Sequence, residues 1–203
     1  MADETKLMLS DGELHFVKDT QWFLTKQKIT ETVYQLMHAQ VPVITNLFAK
    51  NISADFSELK TVVPKISRGE QYLSLPYVIL DYPSVFEKDN IFALRTMFWW
   101  GNFISVTLHL SGKYKEALAK NILRKLKANP DGIFICINEN QWQHHFGPDN
   151  YIEAAKITNY KYGKINVDAR FLKLSIKLDL LQWNEMPALL IDAYQKMATL
   201  IKT

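Results

Sequence analysis

Apolar and polar positions along this chain follow two periods, and the change from one to the other marks its elements. From Thr25 to Lys50 the apolar residues Ile29, Val33, Leu36, Met37, Val41, Ile44, Leu47 and Phe48 recur at helical spacing. This predicts a long amphipathic helix, kinked or split at Pro42, where the ring removes a backbone donor. Ser10 with Glu13 three residues later has the form of a capping box, which starts an earlier helix at Asp11. Residues 51–74 keep no sustained period and read as a short helix followed by a loop. Leu75 to Tyr82 reads as a strand. The runs Ile91–Trp100 and Phe103–Leu110, rich in β-branched and aromatic residues, flank Gly101-Asn102 and predict a β-hairpin. A helix from Lys113 to about Lys127 follows, stopped by Asn129-Pro-Asp-Gly132. Ile133 to Ile137 is a short apolar strand, and Tyr151 to Ile157 reads as a short helix after the turn Gly147-Pro-Asp-Asn150. Phe171 to Asp179 alternates cleanly and predicts a half-solvated strand with Lys173, Ser175, Lys177 and Asp179 turned to water. Asn184 caps a last helix running to Ile201, with Pro187 tolerated in its first turn.

Strands grouped together and helices set apart predict an α+β fold. The expected architecture is a twisted, largely antiparallel sheet of about five strands packed against N-terminal, middle and C-terminal helices. No linker, repeat or low-complexity segment divides residues 1–203, so the expectation is a single domain with a helical part at 10–60 and a sheet-containing part at 75–203.

The hairpin raises the main chemical question. With Gly101-Asn102 as a two-residue loop, Arg95 faces Leu108 on a face otherwise made of Ile91, Ala93, Met97, Trp99, Ile104, Val106 and Leu110. The opposite face mixes Phe92, Phe98, Trp100 and Phe103 with Ser105, Thr107 and His109. A guanidinium is always charged and costly to strand among apolar groups, so Arg95 must snorkel to an edge, pair with a carboxylate or anchor a ligand anion. Asp81 on the neighbouring strand, Glu70 and Glu139 are the candidate carboxylates. A one-residue bulge near Trp99-Trp100 exchanges the two faces and moves Arg95 to the mixed one.

Composition narrows the partners. Hydrophobic residues make up 48% and charged residues 22% of 203, as in an ordinary globule, and a formal charge of +3 is too small to imply nucleic acid. The basic set Lys113, Lys115, Lys120, Arg124, Lys125 and Lys127 reads as a solvated helix face. Cys136 is the one cysteine, so no intrachain disulfide forms and a reducing, cytoplasmic setting is expected. No run approaches the roughly 18 apolar residues of a membrane span. His144-His145 has no further ligand at metal-site spacing, so neither a metal nor any other cofactor is expected. No nucleophile elbow, phosphate loop or dinucleotide fingerprint occurs, which leaves enzymatic activity undecided.

The runs Arg68-Gly-Glu-Gln-Tyr72, Leu75-Pro-Tyr-Val-Ile-Leu-Asp-Tyr-Pro83 and Arg95-Thr-Met-Phe-Trp-Trp-Gly101 resemble an uncharacterised family of bacterial proteins of about this length. The resemblance covers the central third of the chain and implies a bacterial protein with no assigned activity. The leading expectation is therefore a non-catalytic binding or interaction module that uses the aromatic hairpin 91–110, as a homo-oligomer or with a protein partner. The alternative is a site for a small anionic ligand, or an enzyme, with Arg95 or Arg68 as anion anchor and Glu70, Asp81, His109 and Trp100 around it.

Overall fold

The computed structural model describes residues 7–158 and 169–202. Its strands are β1 (Lys65–Tyr72), β2 (Leu75–Phe86), β3 (Ile91–Trp99), β4 (Phe103–Ser111), β5 (Phe134–Cys136), β6 (Tyr151–Glu153) and β7 (Phe171–Asp179), and its α-helices are α1 (Asp11–Lys18), α2 (Thr20–Asn51), α3 (Gly112–Ala128) and α4 (Met186–Ile201). The strands form one sheet in the order β1-β2-β3-β4-β7-β5-β6, with every neighbouring pair antiparallel. The fold is thus mixed α and β around a single antiparallel sheet, with seven strands where about five are expected.

The two additional strands have clear physical reasons for being illegible. β1 is a charged edge strand with no apolar alternation, joined to β2 through its backbone. Its hairpin loop is Leu73-Ser74, both at positive φ (48° and 63°), so the turn lacks the glycine or asparagine that usually marks such a geometry. β6 is three residues long and runs straight into a 3-10 turn at Ala154–Lys156, where a short helix is expected from 151 to 157.

One face of the sheet carries the main core. Phe92, Leu94 and Phe98 of β3 with Ile104, Val106, Leu108 and Leu110 of β4 pack against the buried stripes of α2, α3 and α4. In α2 that stripe is Val33, Met37, Gln40, Ile44 and Phe48. The helix runs unbroken through Pro42 instead of splitting. Pro42 and His38, whose carbonyl loses its partner, are both exposed residues on the solvent side of the helix, while the buried stripe holds both halves in line.

The hairpin register differs from expectation by one residue. Trp99 pairs with Phe103, leaving the three-residue loop Trp100-Gly101-Asn102. The Asn102 N–H donates to the Trp99 carbonyl at 3.1 Å, and Gly101 has φ +68°, which a type II turn requires at its third position. The Trp100 N–H is drawn aside to the Pro76 carbonyl at 3.1 Å. Arg95 therefore pairs with Thr107 rather than Leu108, and Met97 with Ser105, so Arg95 lies on the mixed face with Ser105, Thr107 and His109. That face is covered by the segment 137–150.

Candidate binding groove

The expected site residues separate into two groups on opposite faces of the sheet. Asp81, Arg95 and His109 lie under the segment 137–150, whereas Arg68, Glu70 and Trp100 line a groove on the helical side. No single site contains both anion anchors.

Asp81 and Arg95 are directly opposite one another on β2 and β3. The guanidinium donates from Nε to Oδ1 at 2.8 Å and from Nη2 to Oδ2 at 2.9 Å, a bidentate fork. Its remaining edge is taken by His144 Nε2, 3.4 Å from Nη1, and the Phe86 ring lies 5.6 Å from the guanidinium carbon. Around this pair the covering segment is tied down by polar contacts. His109 Nε2 meets Gln141 Oε1 at 2.9 Å, and the Tyr72 hydroxyl accepts the His144 and His145 amides at 2.7 and 3.0 Å. Lys173 donates to the Gln141 and Gln143 carbonyls.

Lys173 is the residue the sequence misplaces. It is 1% exposed, and Ser175 beside it is fully buried and bonded to Thr107 at 2.8 Å. β7 is therefore solvated only toward its end, at Lys177 and Asp179. Period-2 alternation separates two faces without saying whether an irregular segment will cover the polar one. Burial pushes the Lys173 ammonium down to about 8, opposed by the Cys136 thiol and reinforced by Arg95. Burial likewise lowers His109 to about 3, helped by the Lys173 and Arg95 charges and opposed by the Gln141 hydrogen bond. His144 is lowered for the same first reason, with Lys173 and Arg95 adding to it. Burial raises the Cys136 thiol, as an inert core cysteine requires.

This cluster is a network that fastens the covering segment to the sheet. Asp81 and His144 engage all three nitrogens of Arg95, with three of its five N–H groups accounted for inside the chain. Among the described residues no group of three His, Cys, Asp or Glu side chains converges to hold a metal ion. No helix is long and apolar enough to cross a membrane.

The groove is open to solvent. It lies where the N-terminal half of α2 passes over β1, the start of β2 and the hairpin tip, and has a volume of about 510 Å³. Trp100, Tyr34 and Tyr77 supply aromatic wall, and Lys26 and Glu70 form an ion pair across it at 3.1 Å. Arg68 lines it from β1, exposed, and makes no side-chain hydrogen bond or ion pair among the described residues. Of the hairpin's rings, Phe92, Phe98, Trp99 and Phe103 are buried beneath the chain's own elements, and Trp100 alone stays half-exposed, at the groove. Most of the hairpin's aromatic area is thus covered by the chain's own elements. The three-residue loop places Trp100 at the tip, outside the paired strands.

Comparison with family models, curated proteins and solved structures gives no match.

Proposed function

We propose that the protein is a non-catalytic binding protein whose ligand is a small molecule with a carboxylate or phosphate on an apolar, preferably aromatic, body. The observation that supports this most is Arg68: an unpaired guanidinium in a groove whose walls are Trp100, Tyr34 and Tyr77. A planar fork suits a two-oxygen anion, and the rings offer stacking area for the rest of the ligand. The reading is non-catalytic because Asp81 and His109, which could move a proton, lie on the other face of the sheet, and Glu70 is engaged by Lys26.

The test is calorimetric titration with arylacetates, medium-chain fatty acids and aryl phosphates, against wild type, Arg68→Gln and Trp100→Leu. A binding anion should weaken roughly 10- to 100-fold in Arg68→Gln, since a charge-assisted contact contributes about 1.5–3 kcal/mol. Melting temperature should hardly change, because Arg68 is exposed and supports nothing. If no compound binds, or if Arg68→Gln binds as well as wild type, the groove is not an anion site.

A further inference from the structure

The N-terminal arm is the most anomalous surface of the chain. α1 buries none of its residues, and the turns on either side of it bury none either. From residue 7 to residue 29 the arm exposes Leu7, Met8, Leu9, Leu14, Phe16, Val17, Trp22, Phe23, Leu24 and Ile29. A helix of eight residues with no packed face is not stable in water on its own.

The stripe that α2 buries continues into this arm. Val33, Met37, Gln40, Ile44 and Phe48 are spaced by three and four residues, and the same line extends backward through Ile29 and the Glu70-paired Lys26 to Trp22. Beyond Val33 the chain's own core ends and the apolar members of the line stand in solvent, with Trp22 43% and Ile29 36% exposed. Whatever covers it prolongs the core.

We propose that a second copy of this chain covers the arm, forming a two-fold dimer in which the two arms pack against each other. Area is the first argument. Phe16, Trp22 and Phe23 are each about half exposed, and with the seven aliphatic side chains beside them they offer on the order of 1,000 Å² over the faces of the arm, enough to supply most of the roughly 800 Å² per partner of a standard interface. Charge is the second. The arm holds Asp11, Glu13 and Asp19 against Lys18, Lys26 and Lys28, so two arms do not repel. Its acids Asp11 and Glu13 sit at one end, and Lys18 and Lys28, which make no ion pair among the described residues, lie further along. Two-fold antiparallel packing brings the acidic end of each arm toward the basic stretch of the other. An anionic membrane would instead select a predominantly basic polar face, which this arm lacks.

The test is sedimentation equilibrium of the full chain over a concentration series, with wild type, Phe16→Glu, Trp22→Glu and, as a control outside the arm, Leu181→Glu. Wild type and the control should give twice 23.6 kDa. The arm variants should dissociate roughly 100-fold more readily, because a charge is placed in a desolvated contact. All the replaced side chains are exposed in the single chain, so the core should fold unchanged by circular dichroism. Hydrogen exchange supplies the second measurement: α1 amides should be protected at high concentration and lose that protection on dilution. A wild-type monomer throughout overturns the proposal, as does a dimer indifferent to both arm variants. A monomer that co-floats with vesicles of phosphatidylglycerol also overturns it, and assigns the arm to a lipid surface.

Discussion

Asp81 and Arg95 stand directly across from each other on adjacent antiparallel strands and share two hydrogen bonds of 2.8 and 2.9 Å. Cross-strand neighbours on one face lie about 4.5–5.5 Å apart at Cβ, which lets a carboxylate meet a guanidinium without either leaving the sheet. The pair is the reason a permanent charge is tolerated beneath the covering segment. Arg95→Met should therefore leave Asp81 as an uncompensated carboxylate, at a cost of about 3 kcal/mol. That is the low end of the range for breaking a buried pair, because the Arg95 side chain keeps 18% of its surface. Removing both charges, Asp81→Leu with Arg95→Met, should recover most of the loss. Urea denaturation of the two single variants and the double variant measures this, and additive losses would show that the pair contributes no coupling.

Lys173 should behave differently from Arg95, since its partners are carbonyls. In Lys173→Met two opposing effects of similar size, each on the order of 2–3 kcal/mol, nearly cancel: relief of a buried ammonium and exposure of two unpaired carbonyls. Global stability at neutral pH should thus move by only about 1 kcal/mol. The local effects should be plain. Amides of 138–150 lose protection in hydrogen exchange, because the Gln141 and Gln143 carbonyls are no longer tied to β7. The His109 and His144 imidazoles both titrate at higher pH by NMR, because the cation that held them down is gone.

These two residues also mark where sequence reading stops. The helical period of α2, the capping box at Ser10, the β3–β4 hairpin and the strand β7 are all legible, because each is a local pattern. The partnership of Asp81 with Arg95 depends on β2 lying beside β3, and the reading of Leu75 to Tyr82 as a neighbouring strand makes it a candidate. The burial of Lys173 depends on where 137–150 folds back, which no period records. The hairpin register turns on a single residue: Gly101-Asn102 fits both a two-residue loop and a three-residue loop beginning at Trp100, and the Pro76 carbonyl decides between them by capturing the Trp100 amide. The groove was half visible. Arg68, Glu70 and Trp100 are legible as candidates, but α2, which forms its other wall, lies far away in sequence.

Two glycines at positive φ should differ in what a methyl group costs. Gly101 (φ +68°) has open space where a Cβ would point, so Gly101→Ala should cost only the backbone term, about 1 kcal/mol. Gly112 (φ +52°) begins α3 with the Asp89 carbonyl and the Asn90 carboxamide crowding the same direction. Gly112→Ala should therefore destabilise clearly more than Gly101→Ala. It should also weaken the Asn90 hydrogen bond to the Lys113 amide, now 2.9 Å. Thermal unfolding of the two variants ranks them, and equal losses would mean that crowding at Gly112 relaxes freely.

Acid should loosen the molecule through its two sealed histidines before its carboxylates respond. His109 is held down to about 3, and His144 well below its ordinary 6.5, chiefly by burial and then by the cations Lys173 and Arg95. Below pH 6.5 the unfolded chain takes up protons that the folded chain refuses. Stability is fully present above 6.5 and is lost as pH falls toward the folded values. The slope approaches about 1.4 kcal/mol per pH unit for each histidine. Glu13 and Glu58 have carboxyls lowered from 4.5 by their hydrogen bonds, to Ser10 and to Lys113 respectively, so their contributions are lost only at lower pH. The window between pH 6.5 and 4.5 thus isolates the imidazoles. Urea midpoints across it should fall steadily for wild type and about half as steeply for His109→Gln, which keeps a polar group opposite Gln141 but carries no titration. A flat wild-type profile would mean that 137–150 opens readily enough for both rings to protonate in place.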